Sequence, residues 1–410
     1  MEPKIRYHYS YFIYPYRIDT KKYTKYLQEL LNHKKCQIRF FQKEKDIGIY
    51  DYFLPNIRKS LFPTFEWGKS KIKKFNGMPK ETQAAILAKY PCTVFDYQLE
   101  KQIQGKAGDD DGIFFEIQKI ELVCFAEGIC FLLLKTNIEN TNNFSDLLDF
   151  NCKFREFQRE EKGIQKYGNI KIQTNLFDNM TELGELVQSL TGKREDSSCF
   201  EMGEKFLTYS YACLDQENWN EERGFEELAH EFYKYTNILP SSYNINLEER
   251  QEESYFSKLK YIKMGFSKVG SCLLTSALDP YHYTKLPYAY ENQYLYQYLF
   301  VLFCKIYFKQ LANEYQQASK TREVRKKFIA FIQKFDIEEV TNDEIGSNLY
   351  RKWKKVMEIN ELYQKIKGKY DLLYKELNIE KTMTINKIIM GVLIILLIFN
   401  LILFFGLIGG

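Results

Sequence analysis

Large apolar side chains alternate with smaller or polar ones at the start of the chain. The alternating positions are Tyr7, Tyr9, Tyr11 and Ile13. A period of two is typical of a half-buried strand, and this strand is predicted to end at Pro15. Further along the chain, the pattern of apolar and polar residues predicts helices at 23–33 and 79–90 and short strands at 36–41 and 48–53.

Two longer strands are predicted at 113–125 and 129–135, joined by a turn at 126–128. The second strand is apolar at consecutive positions, which is typical of a strand covered on both faces. We expect an α+β chain, with an N-terminal α/β domain followed by long helices. The predicted units are an α/β domain, a mixed α/β middle region, a helical bundle with a stalk, and a terminal span: 1–160, 161–290, 291–387 and 388–408.

Long helices dominate the last third of the chain. The stretch 294–308 is almost continuously aromatic and aliphatic, but it contains Lys305 and is too short to span a bilayer. It is therefore interpreted as a buried core helix. A second helix is predicted at 322–335.

A stalk with spacings of three and four residues follows. The positions concerned are Val356, Ile359, Tyr363, Ile366, Tyr370, Leu373 and Leu377. This spacing is that of the a/d seam of a coiled coil. Two interpretations stay open: the seam joins several copies of the chain, or it is the apolar face of a helix that packs on its own domain.

The stretch 388–408 is apolar except for Asn400, and about 20 such residues suffice for a helix to cross a membrane. We expect one C-terminal pass in the cell inner membrane. Lys381 and Lys387 precede it, so the N-terminal domain is expected in the cytoplasm, with both lysines at lipid headgroups. Asn400 is a candidate pore-lining or helix-contact residue, because a lone amide in a span is costly without a partner.

Composition excludes some function classes. The net charge of +4 is too small to predict DNA or RNA binding, since the basic residues are spread along the chain. Nine cysteines without a C-x-x-C pair are interpreted as reduced thiols. Phosphate-loop, dinucleotide and nucleophile-elbow motifs are absent from the sequence, so no enzyme is expected and no cofactor is evident. A divalent cation remains a weak expectation at three consecutive carboxylates: Asp109, Asp110 and Asp111.

The order of parts resembles the CorA family of magnesium transporters, and the span ends in Phe405-Gly406-Leu407-Ile408 where that family has aromatic-Gly-Met-Asn. The resemblance covers about the last 120 residues, and the family's asparagine is missing. It implies a homo-oligomer of five copies, with Phe405 and Gly406 at a pore. The N-terminal half also resembles an uncharacterised group of bacterial membrane-anchored proteins.

These patterns predict an oligomeric membrane protein whose cytoplasmic sensing domain controls ion flux or membrane disruption. The resemblance further implies an anti-phage effector that responds to a nucleotide-type signal. The alternative is a tail-anchored scaffold that binds a protein partner, with the span as a tether. A membrane-bound enzyme with an unfamiliar site is a third option. Membrane lipid and further copies of the chain are the expected partners in the first case.

Overall fold

The computed structural model shows a mixed α/β fold, with 50% helix and 24% strand. This confirms the predicted class, with a sheet formed mainly by the N-terminal part and helices at the C-terminal end. The described residues are 2–108, 112–139, 141–156, 170–173, 181–192, 205–245, 255–256, 259–314, 321–335 and 338–408. In the last helix, side chains are described up to Leu397, with gaps at 373–374, 376–378 and 380–381.

Twelve described strands form one sheet. They are β1 (Ile5–Arg17), β2 (Cys36–Ile38), β3 (Cys92–Tyr97), β4 (Ile103–Ala107), β5 (Ile113–Phe125), β6 (Ile129–Ile138), β7 (Ile170–Gln173), β8 (Thr181–Glu182), β9 (Leu207–Leu214), β10 (Tyr255–Phe256), β11 (Ile262–Phe266) and β12 (Gly270–Ser276). Their order is β10-β11-β12-β9-β1-β6-β5-β4-β7-β8, and β3 with β2 adds to the second half of β5. All neighbours are antiparallel except β9 and β12.

The described helices lie on both faces of this sheet. They are α1 (Tyr23–Asn32), α2 (Ile47–Tyr52), α3 (Pro55–Leu61), α4 (Lys69–Asn76), α5 (Lys80–Leu87), α6 (Phe144–Arg155), α7 (Leu183–Thr191), α8 (Ala229–Asn237), α9 (Tyr281–Thr284), α10 (Leu286–Ala289), α11 (Leu295–Glu314), α12 (Thr321–Lys334), α13 (Glu344–Val356) and α14 (Ile359–Ile408). A π-helical segment, Tyr290–Tyr294, joins α10 to α11. Most of α11 is buried, which confirms the predicted core helix.

Side chains of β1 divide the core into two layers. Tyr9 and Tyr11 belong to the cluster formed with α11 to α14, whereas Phe12 and Tyr14 belong to the cluster under α1 and α6. This division follows from the strand's period of two, because successive side chains point to opposite faces. Both layers are apolar, so the central strands carry few polar residues on either face.

Two element predictions are wrong. β1 continues through Pro15, which lies opposite Phe131 of β6. Pairing with β9 ends at Ile13, so at Pro15 the strand has a free edge where a missing amide is tolerated. The predicted strand at 48–53 is helix α2, because short apolar runs do not separate strand from helix without their tertiary partners.

The sheet continues across the boundary predicted near residue 160. β9, from the predicted middle region, lies beside β1, and β12 lies beside β9. Strands from both predicted regions are therefore hydrogen-bonded to each other in one sheet.

The stalk is two helices rather than one. Glu358 has a positive φ of 57°, a left-handed conformation that separates α13 from α14. Val356 ends α13, and Ile359 and Ile366 are buried in the core of their own chain. Tyr363 and Tyr370 pack against the same core. These contacts favour the interpretation of the seam as the face of a helix that packs on its own domain.

The predicted membrane span is corrected by the structure. In the part of the chain that is described, no helix combines the length and the apolarity needed to cross a membrane. The single-pass inner-membrane location and the channel and transporter descriptions are therefore not supported.

Several predicted site residues lie outside the described residues or side chains. They are Asp109, Asp110, Asp111, Leu373, Leu377, Lys381, Asn400, Phe405 and Gly406. Lys387 is described and exposed.

Candidate functional site

A cleft lies where two neighbouring strands separate. The ladder between β1 and β6 ends at Ser10 and Thr136, and the two segments meet again at the bridge between Lys4 and Asn143. The space between them is a cleft of about 440 Å³. Small-molecule sites in proteins have volumes of about 300–1,000 Å³, so the cleft has the size of a ligand site. Its lining residues are Arg6, Tyr7, His8, Asn137, Ile138, Thr141 and Asn142.

His8 reaches across this gap. Its Nε2 accepts a hydrogen bond from the Ile138 amide at 3.2 Å. Burial lowers the pKa of His8 from 6.5 to about 4, so the ring is neutral near pH 7. A neutral imidazole that accepts at Nε2 carries its proton on Nδ1. His8 therefore supplies the cleft with a hydrogen-bond donor rather than a positive charge.

Asn137 contributes an unsatisfied acceptor. Its Oδ1 is buried and receives no hydrogen bond from any residue that the structure describes. A buried polar atom left in this state costs about 1–3 kcal/mol, so a water molecule or a ligand donor is expected beside it. Asn137 and His8 both line the cleft.

Arg6 supplies the positive charge. The residue is exposed, and its guanidinium carbon lies 5.3 Å from the centre of the Tyr283 ring. Stacking of this kind leaves the planar group free to bind a carboxylate or phosphate through two parallel hydrogen bonds. The cleft thus combines one cation, one neutral donor and one acceptor.

The wall opposite β1 is fixed by local hydrogen bonds. The Thr141 hydroxyl donates to Asp146 and accepts from the Asn143 amide at 3.2 Å. The Ile5 amide donates to the Asn142 carbonyl oxygen at 2.7 Å. Because these bonds hold the loop after β6, the cleft is formed without a ligand.

Behind the cleft, charged side chains of alternating sign cross the sheet. This ionic chain consists of Lys135, Glu291, Lys119, Glu121, Arg39 and Asp46. Its closest contacts are Lys135 Nζ to Glu291 Oε2 at 2.6 Å and Arg39 to Glu121 Oε1 at 2.9 Å. Lys135, Lys119 and Glu121 lie in strands, and Glu291 lies in the π-helical segment before α11. Arg39 and Asp46 lie in loops.

The sheet register explains why Glu291 is needed. Lys119 lies directly opposite Lys135, and Lys135 lies opposite Tyr11 on the next strand. Two neighbouring ammonium groups repel each other unless a carboxylate approaches them. Glu291 of the π-helical segment does so, and π-helical turns occur frequently at functional sites.

Two carboxylates face each other at the far end of the ionic chain. Asp96 of β3 lies opposite Glu121 of β5. Burial, and then the charge of Glu121, raises the pKa of Asp96. Burial alone would also raise the pKa of Glu121, but Lys119 and Arg39 together lower it. The cavity beside Arg39 is only about 10 Å³, the space of one water, so this end cannot admit a substrate.

Hydrogen bonds connect the cleft side of the sheet to the C-terminal helices. Tyr9 donates to the Pro287 carbonyl oxygen at 2.8 Å, in α10. Gln297 of α11 donates to the Gly346 carbonyl oxygen at 2.9 Å, in α13. Trp353 of α13 donates to Ser271 Oγ of β12 at 3.2 Å. The sheet, α10, α11 and α13 are thereby linked by buried polar contacts as well as by packing.

The cleft and the ionic chain were not predicted from the sequence. The alternation of Tyr7, Tyr9 and Tyr11 predicted the strand, but nothing in it marked His8 or Arg6 as neighbours of Asn137. A usable signal was present at Lys119 and Glu121, because charged residues within an otherwise apolar strand require partners. Among the described residues, no group of three metal-ligating side chains is found.

Comparison of the chain with protein-family models, with curated proteins and with solved structures finds no match. The functional argument therefore rests on the geometry of the cleft and on the contacts that connect it to the C-terminal helices.

Proposed function

We propose that this protein is a non-catalytic sensor whose cleft between β1 and β6 binds a small anionic ligand. The observation that carries the proposal is that Asn137, whose Oδ1 is buried and unsatisfied, lines one cleft with the neutral His8 and the exposed Arg6. A cleft with convergent polar groups and a strongly shifted pKa is the expected form of a binding site.

The three groups define the ligand's chemistry. Arg6 pairs with a carboxylate or phosphate, and His8 Nδ1 donates to another of its oxygen atoms. Asn137 Oδ1 requires a donor on the ligand, such as a hydroxyl or an amine. A nucleotide-type signal belongs to this class, because it carries phosphate oxygens, hydroxyls and amino groups.

Ligand binding is transmitted to α14 through the contacts under the sheet. Arg6 stacks on Tyr283 of α9, and Tyr9 bonds to α10, so closure of the cleft moves the start of the segment that leads into α11. α11 packs on α13 and α14. Coupling through packed helices requires two conformations of these helices, of which the ligand favours one. The position of α14 would then differ between the free and the ligand-bound protein.

A second candidate function is that of a scaffold that assembles through α14. Large apolar side chains near the end of the described part of this helix are 46–67% exposed, and they are Ile385, Ile388, Ile389, Met390, Val392, Leu393, Ile394, Ile395, Leu396 and Leu397. An exposed apolar surface of this extent marks an interaction site. Under this proposal a protein partner or further copies of the chain cover it.

The ligand proposal is tested by thermal unfolding of the full chain with a panel of anions at 1 mM. The panel contains inorganic phosphate, nucleoside monophosphates and diphosphates, and dicarboxylates. A ligand at 100 times its Kd stabilises the folded state by about 2.7 kcal/mol, which is measurable as a rise in Tm. Arg6→Gln and Asn137→Leu should each remove the rise.

Arg351→Gln is the matched control, because Arg351 is an exposed arginine on α13 and does not line the cleft. It should leave the rise in Tm unchanged. The proposal fails if no member of the panel raises Tm, or if Arg6→Gln and Arg351→Gln respond alike. A ligand-dependent change in amide hydrogen exchange of α14 then tests the coupling separately from binding.

A further inference from the structure

Positive charge is concentrated in the segment that contains α3, α4 and α5. Residues 55–90 hold eight lysines and arginines against two glutamates, a net charge of +6. The whole chain carries only +4, so the remainder is slightly acidic. The expectation that nucleic acid is not a partner rests on the whole-chain value and on basic residues that are spread along most of the chain, whereas binding depends on the local charge.

Four lysines lie on the solvent side of α4. They are Lys69, Lys71, Lys73 and Lys74, and all are exposed. Phe75 is buried and Ile72 is partly buried, which fixes the face that α4 turns to the core. At about 100° per residue, Lys69 and Lys73 lie on one flank of the helix and Lys71 and Lys74 on the other.

The described ion pairs join other lysines, and none of them uses these four. Lys71 Nζ lies 4.5 Å from the centre of the Trp67 ring and donates to the Tyr90 hydroxyl at 3.3 Å. Its ammonium therefore has a fixed position without a carboxylate neighbour. The charge of α4 is not neutralised by the described part of its own chain.

The helix that presents these lysines is rigidly held. α4 and α5 are joined by the three residues 77–79, which include Gly77. The buried Gln83 side chain donates to the carbonyl oxygens of Phe75 at 2.9 Å and Met78 at 3.0 Å.

We propose that α4 binds duplex DNA through its phosphate backbones. A helix in the major groove has a phosphate backbone on each side, and α4 carries lysines on both flanks. An acidic protein surface would engage one flank at a time. The major groove of duplex RNA is too narrow and deep for side chains to read, so DNA is the duplex that fits. No base contact is assigned, so binding is independent of sequence.

The test is fluorescence anisotropy with a labelled 20-base-pair DNA duplex and the full chain. Binding is measured between 50 and 200 mM NaCl, because each phosphate contact contributes about 0.9 to the slope of log K against log salt. The test variant replaces four lysines by glutamine: K69Q, K71Q, K73Q and K74Q. We expect affinity at 50 mM NaCl to fall by at least about tenfold and the slope to decrease by about 3.6, which is about 0.9 for each of the four lysines.

A control variant changes the net charge equally at four other exposed lysines: K45Q, K101Q, K365Q and K367Q. It should retain most of the affinity and the slope of the unchanged chain. Replacement of the same four α4 lysines by arginine should also retain binding, which separates charge from folding. Circular dichroism of each variant verifies that the fold is kept.

The proposal is overturned if the unchanged chain does not bind the duplex at 50 mM NaCl. It is also overturned if the control variant loses as much affinity as the test variant. Competition by poly-glutamate at equal charge concentration, or equal binding of a single-stranded RNA of the same length, would show that no groove is used. Each result differs from those of the anion panel, so this proposal and the sensor proposal fail independently.

Discussion

The Tyr11 hydroxyl donates a hydrogen bond to Glu291 Oε1 at 2.6 Å and joins the first strand to the segment before α11. The other oxygen of Glu291 lies 2.6 Å from Lys135 Nζ. Glu291 thus compensates a lysine and a buried phenol at once, and Tyr11, whose pKa is raised by burial and by Glu291, remains a neutral donor. This contact places the helical layer on the sheet.

Glu291→Gln is expected to destabilise the fold by about 2 kcal/mol, because it leaves Lys119 and Lys135 adjacent without a carboxylate between them. The figure is below that of a fully buried pair, since Glu291 is 17% exposed. Urea unfolding measures the change. Glu221→Gln removes the exposed pair with Lys260 and should change the free energy of unfolding far less. Equal losses in the two variants would contradict the role given to Glu291.

Acid should destabilise the protein through His8. The unfolded chain binds a proton at His8 near pH 6.5, whereas the folded protein does so only near pH 4. Stability from this group is therefore present above pH 6.5 and lost as pH falls towards 4. The loss amounts to at most roughly 3 kcal/mol, since one pKa unit corresponds to about 1.4 kcal/mol.

His8→Gln should flatten this part of the stability profile, since glutamine does not titrate and still offers an acceptor to Ile138. Free energies of unfolding at pH 7 and pH 5 give the comparison. The pKa of Glu121 is lowered in the folded protein, so the stability that its ion pairs contribute is lost only below pH 4.5. The effects of His8 and Glu121 on stability therefore fall in different pH ranges. An unchanged slope in His8→Gln would refute the assignment.

A polar cluster on the opposite face of the sheet depends on Ser210. Its Oγ lies 2.8 Å from Ser10 Oγ, and it accepts from the Tyr235 hydroxyl at 2.6 Å and from Asn151 Nδ2 at 3.2 Å. Ser210→Ala should cost about 2–3 kcal/mol in urea unfolding, because buried partners lose their acceptor. Ser210→Ala in a Tyr235→Phe background should cost less, and additive losses would contradict this coupling.

Gly346 allows α13 to approach Tyr52. A Cβ at this position would lie 2.1 Å from the Tyr52 hydroxyl oxygen, which itself donates to Gln297. Gly346→Ala should destabilise the fold by about 1–3 kcal/mol and loosen α13, as measured by thermal unfolding and amide exchange. Tyr52→Phe should recover part of the loss in the double variant. Gly184→Ala is the control, because a Cβ there meets no atom within 4 Å.

The sequence by itself determined the class of the fold and the existence of its longest elements. Alternation at Tyr7, Tyr9 and Tyr11 is sufficient for a strand, because the period of two is a property of the extended backbone. The buried helix α11 followed in the same way from its continuous apolar pattern. Such patterns show whether each face of a segment lies against an apolar core or against solvent, but not which residues it contacts.

Tertiary structure decided which residues meet. His8 and Asn137 lie 129 positions apart, and they share a cleft because two strands separate there. The break at Glu358 is another example. The spacing of three and four residues continues across this position in the sequence, but its backbone is left-handed, a conformation that the packing of the surrounding structure imposes. Long-range contacts decide which strand or helix packs against which other, and a local periodicity in the sequence does not contain this information.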